Sequence, residues 1–241
     1  MAEGGVLICI PTYNERDNIE PIVAAVHQQV PQADILIIDD GSPDGTGKIA
    51  DKMARFDPRI SVLHRPGKLG LGTAYLAGFA HALERAYAFV FEMDADFSHD
   101  PADLPRLLAE AEKGADLVVG SRYVPGGGTA NWGLLRSLIS RGGSLYARTI
   151  LGLGVRDLTS GFKCFRRSVL EALPLTEVRS EGYGFQIEVT YRTLIHPHRF
   201  RFVEVPIVFV DRRVGHSKMS ANIVLEAMTG VWKLKMLPKG A

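Results

Sequence analysis

The sequence predicts an α/β protein: one domain, residues 1–241, built on a mostly parallel sheet with helices on both faces. Three observations carry that prediction. Strand-length apolar runs alternate with segments of helical periodicity about every 25 residues from Val6 to Gly120, the pattern of parallel strands joined by crossover helices. Those runs stop at turn residues and carboxylates, so chemistry-bearing groups gather where strands end, the edge at which such sheets bind ligands. No internal repeat, low-complexity tract or linker marks off an independent second domain.

Val6 to Ile10 is a continuous apolar run, and Pro11-Thr12-Tyr13-Asn14-Glu15 stops it. Ile19, Ile22, Val23 and Val26 then recur at helical spacing, giving strand, turn, helix. Ile35 to Ile38 is a second buried strand that closes into Asp39-Asp40-Gly41-Ser42-Pro43-Asp44-Gly45-Thr46. Asp44 or Thr46 can cap the next helix, which carries Ile49 and Met53. Ile60 to Leu63 is a third strand, and the glycine-rich segment 67–73 leads into a helix over 74–86. Residues 88–93 give a fourth strand. Asp100-Pro101 then sets aspartate at a helix cap with proline in the first turn, ahead of Leu104, Leu107 and Leu108. A fifth strand covers 116–120. Beyond residue 121 the alternation breaks: Pro125-Gly126-Gly127-Gly128 reads as a flexible connection and Trp132 to Leu153 as a helix. Residues 162–165 and 200–210 read as strands, and 167–173, 185–195 and 219–237 as helices.

Composition narrows the class of function. With 46% hydrophobic and 23% charged residues the chain is ordinary for a globular protein, and a formal net charge of +1 gives no broad cationic surface for nucleic acid. Two cysteines, Cys9 and Cys164, make neither a metal quartet nor a disulfide framework; buried thiols in a reducing compartment are the expectation. The N-terminus lacks a basic region ahead of a signal-length apolar run, and no apolar run reaches eighteen residues. Work at a membrane would be work from its surface.

The stretch that organises the chain is Val90 to Pro101, an apolar strand ending in Asp94-Ala95-Asp96. Residues two apart on an extended backbone point the same way, so Asp94 and Asp96 can offer oxygens to one hard cation, Mg²⁺ or Mn²⁺, shared with substrate phosphates. An isolated Asp-Ala-Asp is more often a plain acidic loop. Two further strand ends change the odds: Glu15 and Asp40 can accept hydrogen bonds from a base or ribose, and Tyr13 can lie against the base. Taken singly, Pro11-Thr12-Tyr13-Asn14-Glu15 is better read as a helix cap, and Asp39-Asp40-Gly41-Ser42 reads equally well as an Asx turn. The glycines at 67, 70 and 72 match neither the dinucleotide fingerprint nor the P-loop, which removes the main support for dehydrogenase and P-loop readings. Lys68 can reach a phosphate or stand in solvent. Arg122, Arg136, Arg212 and Lys218 suit phosphate oxygens, although a solvated cation is the default for any one of them.

Ile10-Pro11-Thr12-Tyr13-Asn14-Glu15, Ile38-Asp39-Asp40-Gly41-Ser42-Pro43-Asp44-Gly45-Thr46, Gly70-Leu71-Gly72-Thr73-Ala74-Tyr75, Met93-Asp94-Ala95-Asp96, Gly120-Ser121-Arg122-Tyr123 and Gly215-His216-Ser217-Lys218 occur in one order along the chain. That ordered set resembles the polyprenol-phosphate (dolichol-phosphate) mannose synthases, within the wider family 2 of inverting glycosyltransferases. The resemblance runs from about Val6 to Leu237. It implies a GT-A fold with a Rossmann-like sheet, residues 1–121 forming a nucleotide-binding half and 122–241 an acceptor-binding and lid half. It also implies a GDP-mannose donor, a polyprenyl phosphate acceptor and Mg²⁺ or Mn²⁺.

Carried over by motif, Pro11, Tyr13, Glu15, Ile38 and Asp40 correspond to the nucleotide pocket, and Asp94, Ala95 and Asp96 to the donor-diphosphate and metal segment. Ser98 stands where many relatives carry glutamine as another oxygen ligand, and serine reaches less far. Arg122, Arg136 and Ser140 match acceptor-phosphate positions; Arg212 and Lys218 match cationic positions on a loop that closes over the donor. Catalysis would then rest on Asp94, Asp96, Arg122 and Lys218. A UDP-glucose-dependent enzyme and a non-catalytic nucleotide-sugar-binding protein are the rivals. The resemblance is to the type without membrane-spanning helices, which implies a chain peripheral to the cytoplasmic face of a membrane, held there by a membrane-anchored partner chain or by its own helices. The segments 134–141 and 231–236 mix apolar and cationic residues as interfacial helices do, and both fit equally well as helices packed on the sheet.

Overall fold

A computed structural model of the chain describes residues 4–211 and 229–236, with the side chains of residues 134–136 excepted. A seven-stranded sheet runs through it in the order β3-β2-β1-β4-β7-β5-β8. The strands are β1 Val6–Thr12, β2 Asp34–Asp39, β3 Ile60–His64, β4 Phe89–Glu92, β5 Leu117–Ser121, β7 Lys163–Arg166 and β8 Phe202–Pro206, while β6 Gly128–Ala130 and β9 Val208–Val210 pair separately. The helices are α1 Ile19–Gln29, α2 Thr46–Phe56, α3 Leu71–Glu84, α4 Leu104–Glu112, α5 Leu134–Leu151, α6 Arg167–Ala172 and α7 Gly182–Ile195, and residues 229–235 are also helical.

The runs Val6–Ile10 of β1 and Ile35–Ile38 of β2 are apolar throughout because both faces of the sheet are covered there. From β1, Ile8 and Ile10 enter one core cluster with Ile19, Ile22 and Val26 of α1, and Leu7 and Cys9 enter the other with Tyr75 and Phe79 of α3. Both cysteines are buried free thiols, and burial pushes their pKa values well above the ordinary range. A third cluster joins α5 and α7 to the helix at 229–235 through Ala147, Leu151, Tyr191, Val231 and Leu234.

Among the described residues the expected strands and helices are present, with these differences. β7 runs antiparallel to β4 and β5, between which it is inserted, while β1–β2, β1–β4, β2–β3 and β5–β8 are parallel. Residues 200–210 do not form one strand: Pro206 has no N–H to extend the ladder, and the chain leaves β5 to pair β9 with β6. The 125–128 stretch is an ordered turn. Gly127 donates to the Val124 carbonyl at 2.9 Å, and a Cβ there would lie 2.4 Å from the Ser121 oxygen. α3 starts at Leu71, ahead of the expected 74, after Gly70 turns the chain at φ +98°. For the other cap, Asp44 accepts the Thr46 N–H at 3.0 Å and the Thr46 hydroxyl at 2.6 Å, with Gly45 at the cap position. Of the helix expected over 219–237, residues 219–228 and 237 lie outside the described residues.

Candidate active site

Strand order reverses between β1 and β4, and a cleft of about 380 Å³ opens beyond the carboxyl ends of the strands there. Pro11, Tyr13, Glu15, Asp40 and Lys68 line one side of it, and Asp94, Ala95, Asp96 and Ser98 lie at its β4 end. Arg122, Trp132, Thr159, Tyr183, Gln186 and Phe209 line the rest.

On the first side, two turns are tied together. Asn14 adopts a left-handed conformation (φ 62°), and its N–H donates to Ser42 Oγ at 3.1 Å. The Glu15 N–H donates to Thr46 Oγ1 at 3.0 Å, and Glu15 Oε2 accepts from the Asn18 amide at 2.7 Å. Asp39 makes the Asx turn, accepting the Ser42 hydroxyl at 2.5 Å. Asp40 behaves differently: both its oxygens accept from Arg65, at 2.6 and 2.8 Å, and Arg65 also donates to Thr73 Oγ1 at the start of α3. Asp40 therefore faces the cleft as half of an ion pair. The Lys68 ammonium lies 4.5 Å from the centroid of the Tyr13 ring, a cation–π contact that brings the glycine-rich loop over the turn after β1. Ile38 is fully buried in the core beneath and is not among the cleft's lining residues.

β4 ends at Glu92, so Asp94 and Asp96 lie just past the strand and not on its extended ladder as the spacing suggested. Their common exposure to the cleft comes from a turn. Phe97 is held left-handed at φ 60°, unusual for a bulky residue, and the Ser98 N–H closes on Asp96 Oδ1 at 3.0 Å. His99 Nδ1 accepts the Asp94 N–H at 3.1 Å while the ring stacks on Phe162 at 4.9 Å. Burial pushes the His99 pKa down to about 4, so the ring is neutral at pH 7 and can accept that bond. Tyr75 donates to Asp94 Oδ1 at 3.5 Å.

The donor set fits a hard divalent ion that keeps ligand positions for a diphosphate. Asp94 is 29% exposed and Asp96 5%, and both face the cleft with Ser98 beside them. Among the described residues no group of three His, Cys, Asp or Glu side chains could hold a metal by itself.

Arg122 lines the same cleft. Its guanidinium donates to both Asp157 oxygens at 2.7 Å and to Thr159 Oγ1 at 2.8 Å, and its backbone N–H also reaches Asp157. Burial works against the cation, but Asp157 more than offsets it and raises the Arg122 pKa above its ordinary value. Tyr123, Trp132 and Phe209 surround the guanidinium at 5.1, 5.6 and 5.5 Å. Ser140 on α5 accepts from the Tyr123 hydroxyl at 2.6 Å. The structure thus gathers Pro11, Tyr13, Glu15, Asp40, Asp94, Ala95, Asp96, Ser98 and Arg122 on one cleft and leaves Ser140 one tyrosine away. The Arg136 side chain, Arg212 and Lys218 lie outside the described residues.

Several partners escaped the sequence reading. Arg65 and Asp157 lie in loops, 25 and 35 residues from their partners Asp40 and Arg122, with nothing in the intervening sequence to announce the pairing. Glu92 and Lys163 face each other across β4 and β7, both fully buried, and Lys163 donates to the Gln186 side chain. Burial pushes Glu92 up to about 7 and Lys163 down to about 8, each held back by the other. A charged residue inside each of two apolar strands was the available signal.

The sequence model of the family described as Glycosyl transferase family 2 matches residues 7–173. The chain belongs to that family. It is a glycosyltransferase with the GT-A fold. Among curated relatives of this family 2 chain, the polyprenol monophosphomannose synthase of Mycolicibacterium smegmatis is 52% identical over 92% of the chain and 83% of its own length. The undecaprenyl-phosphate mannosyltransferase of Micrococcus luteus is 51% identical over 94% and 92%. Among solved structures, the glucosyl-3-phosphoglycerate synthase of Mycobacterium tuberculosis, in complex with Mn²⁺, uridine-diphosphate and glucosyl-3-phosphoglycerate, superposes with a TM-score of 0.70. At 20% identity over 98% of this chain and 82% of that one, it attests the fold.

Proposed function

We propose that the chain transfers mannose from GDP-mannose to a polyprenyl phosphate with inversion, giving polyprenyl phosphate β-mannose and GDP. The observation that carries this reading is the convergence, in one cleft, of the Asp94–Asp96 pair and a buried, pre-oriented Arg122, in a chain half identical to two enzymes named for mannosyl transfer to such lipids. Tyr13, Glu15 and the Asp40–Arg65 pair take the nucleoside. Residues 1–121 supply this half, and 122–241 the acceptor half and lid.

Asp94 and Asp96, with Ser98 beside them, would hold Mg²⁺ or Mn²⁺, which supplies Lewis-acid stabilisation to the leaving diphosphate. A phosphate monoester is largely ionised near neutral pH, so the acceptor needs little help from a base and catalysis rests on positioning. Arg122 is suited to that task because Asp157 fixes its plane while Thr159 takes a further donor, so little ordering remains when an anion arrives. Arg136 and Ser140 complete the acceptor-phosphate contacts in this reading, and Arg212 and Lys218 close over the donor.

The enzyme works from the cytoplasmic membrane surface, alone or beside a membrane-anchored chain. No described helix is long and apolar enough to cross a membrane. Leu138 and Leu145 on α5, Trp232 on the helix at 229–235 and Met236 just after it are more than half exposed, and the Trp232 indole donates to Tyr146, joining the two helices.

The deciding experiment offers purified protein a short polyprenyl phosphate with GDP-mannose or UDP-glucose, with and without divalent metal, and reads product anomeric configuration by NMR. Metal-dependent β-mannoside is the expected product. Preference for UDP-glucose, a retained anomer, or donor binding without turnover would each refute the proposal.

A further inference from the structure

A second pocket, of about 320 Å³, shares Arg122 with the cleft and lies against α5. Four arginines line it, Arg122, Arg141, Arg148 and Arg156, together with Tyr123 and Leu145, and no carboxylate does. Asp157 answers the charge of Arg122, so the pocket's net positive charge comes from the other three. Among the described residues none of those three guanidinium groups is ion-paired. The nearby Glu204 spends its oxygens on the backbone N–H groups of Arg156 and Asp157, at 2.9 and 3.0 Å. Arg141 lies over the Tyr123 ring at 5.8 Å, which orders it without neutralising it.

The same arginines belong to a stripe. Leu138, Arg141, Leu145 and Arg148 stand three or four residues apart and share one face of α5, whose Ala147 and Leu151 are buried in the third core cluster. Leu138 is 68% exposed and Leu145 57%. A face that alternates exposed leucine with arginine that has no ion-pair partner among the described residues complements an anionic bilayer surface: the leucines enter the acyl boundary at the depth where the arginines meet phosphate.

We propose that Arg141, Arg148 and Arg156 form a second anion site, which takes the phosphate headgroup of an anionic phospholipid and seats α5 on the membrane. The proposal deepens the membrane-surface reading above and rests on it. The occupant is not the acceptor phosphate. That group must reach the Asp94–Asp96 side of Arg122, and those aspartates line the catalytic cleft, not this pocket.

The test measures sedimentation of the protein with vesicles of phosphatidylcholine alone or mixed with phosphatidylglycerol. It compares the wild type with Arg141→Gln, Arg148→Gln, Arg156→Gln and, as a control, Arg106→Gln on α4. Each pocket substitution is expected to weaken partition into the anionic vesicles about fivefold, from roughly 1 kcal/mol per arginine near an anionic surface. The control, binding to neutral vesicles, melting temperature, and turnover with a short soluble acceptor should be unchanged. Unaltered anionic-vesicle binding by all three variants would overturn the proposal, as would a wild type indifferent to phosphatidylglycerol. A raised KM for the soluble acceptor with normal vesicle binding would also overturn it, assigning the pocket to the substrate phosphate. Because partition is read without catalysis, a failed donor assignment leaves this result interpretable.

Discussion

Replacing Asp157 by asparagine should uncouple Arg122 from its support without changing the shape of the site. Asp157 is fully buried and accepts three hydrogen bonds of 2.9 Å or less from Arg122 alone. Asparagine keeps one acceptor but turns an NH₂ toward a group that has only donors, and it strands a guanidinium that is 4% exposed. Breaking a buried pair in this way costs about 3–5 kcal/mol, a large part of the 5–15 kcal/mol that holds a typical domain together. Urea unfolding followed by circular dichroism reads that loss. Replacing both members, Arg122→Met with Asp157→Leu, should recover much of it, since an apolar pair leaves no buried charge. In activity, losing the orientation of Arg122 should lower kcat/KM for the acceptor roughly 10- to 100-fold, the worth of about 1.5–3 kcal/mol in charge-assisted hydrogen bonding. Unfolding within 1 kcal/mol of wild type, or a double variant no more stable than Asp157→Asn, would refute the argument.

Asp94→Ala should lower turnover on the order of 100-fold or more and weaken Mn²⁺ binding in the presence of GDP, read by electron paramagnetic resonance; full activity in EDTA would remove the metal from the mechanism. Glu92, with its pKa raised from 4.5 to about 7, keeps a proton in the folded state that the unfolded chain releases across that window. Wild-type stability should therefore fall as pH rises from 4.5 to 7, by roughly 3 kcal/mol from this group, and Glu92→Gln should remove that part of the slope. Arg65→Met leaves Asp40 without its bidentate partner and should cost about 1–3 kcal/mol while raising the KM for the nucleotide sugar, measured by unfolding and steady-state kinetics. Gly72→Ala would set a methyl 2.9 Å from the Phe185 ring and 3.0 Å from the Ser180 carbonyl, and about 1–3 kcal/mol of destabilisation is expected in thermal melts.

The elements that could be read from sequence were those whose signal is local. Continuous apolar runs announced β1 and β2 because a strand covered on both faces needs apolar residues throughout, and Asp100-Pro101 announced a helix start because capping is a matter of neighbouring residues. The direction of β7 was not legible. Four residues, three of them fully buried, carry no arrow, and its antiparallel seat shows only in its pairing with β4 and β5. The split between β8 and β9 had a cue in Pro206, but the partner that makes β9 a strand is β6, far off in sequence.

In the cleft the division is similar. That carboxylates and hydroxyls stand at the ends of β1, β2 and β4 could be read directly from where the apolar runs stop. How each of these groups is held at the cleft follows from the folded arrangement alone. Asp40 is held by Arg65 and Arg122 by Asp157, while Asp94 and Asp96 are presented to the cleft by the turn at Phe97. The reason is physical: a hydrogen bond forms between groups brought within about 3 Å, and sheet register and loop closure set that approach where spacing along the chain cannot.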